Sequence, residues 1–443
     1  MSSTPTPPQA TIGGDDQAEP PRAATAEDVA LLANPELVAT SLGEYLHAWV
    51  RKVRQGDSGM LPIVGGLILI AVIFQSQNTK FLSAGNLANL LGQGAPYVLL
   101  GMAEVFVLLL GEIDLSIGYL AGVGAVITVA VNSTHNQPWW WAVILGLAAC
   151  TAIGALQGFI ITALKLPSFV VTLAGYLGLE GVLLWLTNRE AGPSSGGTIQ
   201  IKSTILRDLV AGNLNPAAGW IVMIIAVALF GAFTILRDRR RASAGLVAPP
   251  FAVSALKVVV IAAAGIVIVI ICNINRGLGR IPVKGVPWSL PIVLGVLFIW
   301  TFLLGRTRFG RYMYAVGGNA EAARRAGINL NRIRITAFAL TGMTAGAAGI
   351  IYASFLGSIS NDINGGQLVL YAVAAAVIGG TSLFGGRGKM LHAVLGGVVV
   401  ATIYNGMSII GLSSAADQDM VIALVLLAAV TVDAVARRGS ASA

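Results

Sequence analysis

Three carboxylates stand where an apolar chain does not easily hold them. Glu104 falls inside the run LLGMAEVFVLLLG, and Glu112 and Asp114 follow just beyond it. An ionised carboxylate at mid-bilayer costs about 2.5–3.5 kcal/mol on insertion scales, so such a group faces a cavity or a partner. Glu104 reads either as a hydrogen-bond acceptor lining a substrate path or as a protonated or helix-paired carboxyl. Asp114-Leu115-Ser116 can offer oxygens to the free amides that open a helix, or to a substrate. Catalytic patterns are missing. Gly385-Gly386-Arg387-Gly388-Lys389-Met390 looks faintly like a phosphate loop, but its first glycine is misplaced and Met390 stands where Ser or Thr would hold magnesium. It reads as a Gly-rich turn. No HExxH occurs, the histidines His47, His135 and His392 are scattered, and no motif pairs a nucleophile with a base. Neither a catalytic residue nor a metal site nor a cofactor is called for. Energy for any pumping must come from another subunit or from an ion gradient.

The elements that must position these groups are membrane spans. The 443 residues are 56% hydrophobic and 11% charged, where a soluble domain carries about 25% charged residues. The 54 glycines suit helices packed closely in lipid. The expected fold is all-α, a polytopic transmembrane helical bundle of about 12 spans (10–12). They are placed at 60–76, 88–110, 114–132, 139–164, 168–187, 219–236, 254–273, 288–305, 334–356, 367–381, 390–411 and 418–436. Only Glu112 and Ile113 clearly separate the second and third, which leaves room for one broken or re-entrant element.

An even count puts both termini on one side. Most of the 28 Lys and Arg share that side, while Lys80, Arg189, Lys202, Arg207, Arg276, Arg280 and Lys284 face the other. The positive-inside rule then places both termini in the cytoplasm. The net charge of +8 reads as a topology signal, with no nucleic acid implied. Trp139, Trp140 and Trp141 open a span at the outer interface, and a polar stretch at 188–215 lies outside. Gly154/Gly158 and Gly342/Gly346 are small pairs at four-spacing, suited to close helix contact. Cys150 and Cys272 fall in spans and suggest no disulfide framework.

Four regions follow. Residues 1–33 form a tail, rich in Pro, Thr, Ala and acids through residue 25, that reads as disordered and lacks the features of a signal peptide. Residues 34–55 open with the cap Asn34-Pro35 and repeat apolar residues at helical spacing. They read as an amphipathic interfacial helix on the lipid bilayer, or one docked on protein. Residues 60–436 are the membrane domain, and 437–443 a C-terminal tail.

Within the membrane domain, residues 305–334 (GRTRFGRYMYAVGGNAEAARRAGINLNRIR) form the longest polar passage after the first span. Arg306, Arg308, Arg311, Arg324, Arg325, Arg332 and Arg334 face a single acid, Glu321. Asn319 can cap a short helix AEAARRA, and Gly327 suits the left-handed residue that ends it. Glu321 and Arg325 stand four apart in the favourable order. Composition alone leaves two readings open, a loop that only fixes orientation or a docking helix for a soluble partner.

Four stretches, taken in order, carry a resemblance: Glu112-Ile113-Asp114-Leu115-Ser116-Ile117-Gly118, Leu166-Pro167-Ser168-Phe169-Val170-Val171-Thr172-Leu173-Ala174-Gly175, the run from Phe309-Gly310-Arg311 to Gly327-Ile328, and Ile378-Gly379-Gly380-Thr381-Ser382-Leu383. From about residue 60 to its end the chain resembles bacterial ABC-type monosaccharide permeases of the ribose/xylose group. The xylose branch is resembled most, through the extra basic loop at Arg237–Arg241 and the spans around it. The resemblance implies a permease subunit in the bacterial cytoplasmic (inner) membrane that translocates xylose or a similar pentose or hexose. ATP-binding-cassette ATPase subunits, an extracytoplasmic sugar-binding protein and a permease homodimer are the implied partners.

The same resemblance implies that Arg311, Gly318, Asn319, Glu321, Arg324, Arg325 and Gly327 form the coupling segment that receives the ATPase stroke. Glu112, Asp114, Ser116, Gly118, Pro167, Ser168, Gly379 and Gly380 are its motif positions. Glu104, Gln157 and Asn405 are assigned to the substrate path. Glu104 stands where related permeases are usually uncharged, and Gln157 where they often have Asn. Asn405-Gly406 matches the family, and its amide can hydrogen-bond a sugar hydroxyl. Val369, Leu370 and Tyr371 replace acids that relatives often carry before the Ala-rich run, which bears on which hydroxyls are bound. Two transport alternatives remain, a secondary transporter, whose sign is several ionisable groups within spans, and a branched-chain amino-acid ABC permease. A membrane-embedded enzyme lacks any supporting motif.

Overall fold

The computed structural model describes residues 60–427 apart from 193–194, 247, 278–281, 413 and 415, together with residues 43, 44, 47, 50 and 431. The tail at 1–33, the cap Asn34-Pro35, most of the interfacial helix at 34–55 and the C-terminal tail at 437–443 lie outside the described residues. The chain divides into two compact units, Met1–Arg51 with Gly231–Lys257, and Lys52–Phe230 with Val258–Ala443.

The second unit holds nearly all the described helices. In chain order they are α1 (Leu61–Gln77), α2 (Ala84–Leu109), α3 (Ile117–Val129, continued by a π-helical turn Ala130–Thr134), α4 (Trp139–Leu164), α5 (Ser168–Ala191), α6 (Thr204–Ala211), α7 (Pro216–Ser243), α8 (Phe251–Asn273), α9 (Ser289–Arg306), α10 (Arg308–Gly318), α11 (Ala320–Arg325), α12 (Leu330–Leu356), α13 (Gly365–Ile378) and α14 (Met390–Ile409). A further helical run is described over 416–427. Two short strands, β1 (Thr198–Gln200) and β2 (Ser358–Ser360), pair antiparallel with Ile199 opposite Ile359. In the first unit the described residues are 43, 44, 47 and 50, the end of α7 and the start of α8. There Asp238 accepts from Ser254 Oγ at 2.5 Å and from Arg237 Nε at 2.9 Å.

Every expected span meets a helix, and nine of the described helices are long and apolar enough to cross a membrane. Two of the expected spans, 60–76 and 367–381, are met by shorter apolar helices. α13 has 14 residues and rises about 21 Å, short of the roughly 30 Å hydrocarbon core. α1 has 17 residues, and only part of the last run is described. The expected span 114–132 begins at Ile117, so Asp114 lies outside the helix. α2 and α3 are separate helices joined by residues 110–116, and both qualify as spans.

Burial separates core from rim. In the apolar stretch of α2, 89% of residues are buried, against 22% in α5, so α5 stands at the rim. The close contact of α4 with α12 is made by the two glycine pairs. A Cβ on Gly158 would lie 2.8 Å from Ile335 Cα, and one on Gly346 3.0 Å from the Cys150 Cβ. Gly154 abuts the Phe338 carbonyl, and Gly342 that of Cys150. Lipid supplies no hydrophobic drive between helices, so this intimacy is what holds them through dispersion. Trp139, Trp140 and Trp141 open α4 and are exposed, as residues of an interfacial belt are.

Candidate functional site at the polar end of the bundle

α9 ends at Arg306, and Thr307 restarts the chain as a cap, its hydroxyl accepting from Gly310 N at 3.2 Å. The resulting helix α10 was not foreseen, because RFGRYMYAVGG mixes charge, glycine and aromatics without a long apolar run. It buries Gly310, Met313 and Val316 and leaves Arg308 and Arg311 exposed. Tyr314 donates to the Gly388 carbonyl at 2.7 Å, and Gly317 abuts the Leu109 carbonyl. Gly386 N also donates to that carbonyl, at 2.9 Å. The Gly-rich segment 385–389 is thus a turn wedged between α10 and the end of α2, with Gly385 at φ +84° and Gly386 at φ +72°.

Asn319 then opens α11, accepting from Ala322 N at 2.9 Å. At the other end Gly327 adopts φ +81°, Gly327 N donates to Arg324 O at 3.0 Å and Ile328 N to Ala323 O at 3.1 Å. That pair of bonds closes a helix on a left-handed residue. Glu321 accepts from Arg324 at 2.9 Å and Arg325 at 3.2 Å. These hydrogen bonds, Arg324's first, hold its carboxyl below the ordinary 4.5. Gly318, Glu321, Arg324 and Arg325 are all exposed. The result is a capped cationic helix held on a seated one, a surface able to meet an acidic partner.

The loop 110–116 joins this surface to the core. Glu112 Oε1 lies 3.0 Å from Arg334 Nε, an ion pair although the guanidinium N–H is not aimed along it. Thr172 donates to the Ile113 carbonyl at 3.2 Å, tying α5 to the same loop. A cavity of about 480 Å³ opens here between the ends of α4, α5 and α12, lined by Glu112, Thr162, Lys165, Pro167, Ser168 and Arg334 among others. Pro167 is the residue before α5 and Ser168 its first.

Behind the loop runs a buried polar chain. Asp114 N donates to Glu104 Oε1 at 3.4 Å. Asp114 Oδ1 accepts from Ser116 N at 2.9 Å and Ser116 Oγ at 2.6 Å. Gln157 Nε2 donates to Ser116 Oγ at 2.8 Å. Asp114, rather than Ser116, therefore organises the start of α3, since Ser116 makes no side-chain cap bond. Glu104 Oε2, Asp114 Oδ2 and Gln157 Oε1 are buried without a partner among the described residues. Glu104 and Gln157 are thus neighbours through this chain, and Gly175 of α5 packs against Gln157.

Asn405 lies apart. It exchanges two amide bonds with Asn86, at 2.8 and 3.0 Å, and donates to Gln93 at 2.9 Å, stitching α14 to α2. Gly118 abuts the Gly365 carbonyl and Gly379 the His392 carbonyl. Gly380 turns at φ +85°.

Comparison with known proteins agrees with this architecture. Residues 86–430 match the family model for branched-chain amino acid transport system / permease component. The chain is 34% identical over 379 residues to the xylose transport system permease protein of Escherichia coli K12, covering 85% of this chain and 92% of that protein. It is 31% identical over 374 residues to the ribose import permease protein of the same strain, covering 84% and 92%. It is 27% identical over 345 residues to that strain's D-allose transport system permease protein, covering 78% and 82%. No solved structure matches the chain. A helical membrane bundle matched over most of its length, the chain belongs to this permease-component family, multi-pass inner-membrane subunits of ABC importers that leave ATP hydrolysis to a separate subunit.

Proposed function

We propose that this permease translocates a monosaccharide, xylose or a similar pentose or hexose, inward across the bacterial inner membrane. The observation that carries the reading is the match over 92% of the lengths of both the xylose and the ribose permease proteins. The subunit works as a homodimer with two ATPases and an extracytoplasmic sugar-binding protein. Both termini and the 305–334 loop are cytoplasmic. Arg311, Gly318, Asn319, Glu321, Arg324, Arg325 and Gly327 receive the ATPase stroke. The Glu112–Arg334 pair passes it to the loop before α3, and thence to Glu104 and Gln157 beside the path. Asn405 acts on the path through the contact of α14 with α2, because Asn86 and Gln93 meet its amide.

The test is uptake of radiolabelled D-xylose by the permease reconstituted with its ATPase and binding protein. ATP-dependent accumulation is expected. The family description favours one second reading, a branched-chain amino-acid permease. Accumulation of leucine in place of any pentose or hexose would establish that reading and overturn this one.

A further inference from the structure

The departure at Val369-Leu370-Tyr371 has a structural counterpart. Tyr371, 1% exposed, donates its hydroxyl to Asp419 Oδ1 at 3.3 Å. Gln367, one turn earlier on α13, donates to the same oxygen at 2.9 Å. A carboxylate therefore reaches this face of α13, but from the last helical run. The Tyr97 ring meets Tyr371 edge-on at 5.4 Å and Tyr404 at 5.9 Å. Four helical segments thus meet here: α2, α13, α14 and the run 416–427.

Tyr97 is 4% exposed, and its hydroxyl makes no hydrogen bond among the described residues. Asp419 is half-buried, and no described group donates to its Oδ2. An aldose offers an apolar C–H face and a ring of hydroxyls. Aromatic rings suit the face. A carboxylate accepts from two hydroxyls, and an amide both donates and accepts. Tyr97 and Tyr371 each sit near the middle of their helices.

We propose that Tyr371, Asp419 and Gln367, with the unpartnered Tyr97 hydroxyl, form a site that reads the hydroxyls of the sugar in transit. This rests on the sugar-import reading above. The site replaces in space the acids missing from α13 and sets which epimer passes. The test uses the full complex with its ATPase and binding protein in proteoliposomes. Labelled D-xylose and D-ribose, which differ in configuration at C3, are supplied at saturation. Because the binding protein sets half-saturation, the maximal rates are compared. Tyr371→Phe and Asp419→Asn should each change the xylose-to-ribose rate ratio by about fivefold or more, the effect of one hydrogen bond. ATP hydrolysis without sugar should stay at the wild-type rate. A purely structural role would lower both sugars together, so a ratio within about twofold of wild type in both variants overturns the site. If Asp419→Asn does not accumulate in the membrane, Tyr371→Phe, which keeps the ring, decides. Loss of both pentoses in the wild type, with leucine imported instead, would overturn the function itself along with the site.

Discussion

Replacing Gly327 by valine strains the end of α11 without touching a neighbour. No heavy atom stands within 4 Å of where a Cβ would be, so steric crowding contributes nothing. The cost is conformational. At φ +81° an L-residue costs about 1–2 kcal/mol, and a β-branched one more. α11 has six residues, and a helix that short has no stability of its own to absorb the strain. Removing the opening cap with Asn319→Ala costs about 1 kcal/mol. Since about 1.4 kcal/mol is tenfold in an equilibrium, Gly327→Val alone lowers the population of the ordered helix by about tenfold. Glu321→Lys attacks the same element by charge, replacing the acceptor for Arg324 and Arg325 with a third cation. The assay is reconstituted complex in liposomes, with ATP hydrolysis and sugar uptake measured together. Sugar-dependent ATPase stimulation should fall strongly in Gly327→Val and Glu321→Lys, while membrane insertion and docking of the binding protein persist. Gly327→Asn should be milder, because Asn visits the left-handed region more readily. Wild-type hydrolysis and import in both Gly327→Val and Glu321→Lys would reduce this loop to a topology signal.

In intact cells an impermeant thiol reagent should label Ser195→Cys but not Ala320→Cys, and the reverse pattern would invert the topology. Gly342→Ala drives a methyl into the Cys150 carbonyl across the α4–α12 contact and should cost about 1–3 kcal/mol, read as a lower melting temperature in detergent, while an unchanged melting point would mean the helices part freely. Arg334→Met leaves the nearly buried Glu112 without its ion-pair partner, and Glu112→Gln/Arg334→Met should recover much of the loss; an additive double mutant would show that the pair is not coupled. Because Arg324 and Arg325 hold the Glu321 carboxyl below its ordinary 4.5, their support is full above that value and is lost as pH falls through the lowered one. ATPase stimulation should therefore be flat from neutrality down to about pH 5 in wild type with respect to this group, and a loss near pH 7 that Glu321→Gln abolishes would contradict the assignment.

Features that depend on neighbours a few residues away were legible in the sequence. The caps Asn319 and Gly327 and the Glu321–Arg325 pair are set within one or two helical turns, and side-chain type at fixed spacing specifies them. Hydropathy located the spans because lipid forces every backbone group to pair within its own helix. The glycine pairs marked faces built for close contact, although only the fold showed that Gly154 and Gly158 meet the same helix that carries Gly342 and Gly346. Hydropathy does not separate a helix in lipid from one in the core: α2 and α13 read alike as spans, yet most of both are buried against protein. α10 escaped notice because its apolar face is short and its partner, the turn at 385–389, lies far along the chain. Tertiary structure alone decided the rest. It set Glu112 beside Arg334, linked Glu104 and Gln157 through Asp114 and Ser116, matched Asn405 to Asn86 and Gln93, and brought Asp419 to Tyr371. Each of those contacts joins residues on different helices or loops, where no periodicity relates one to the other, and burial makes a partner obligatory without naming it.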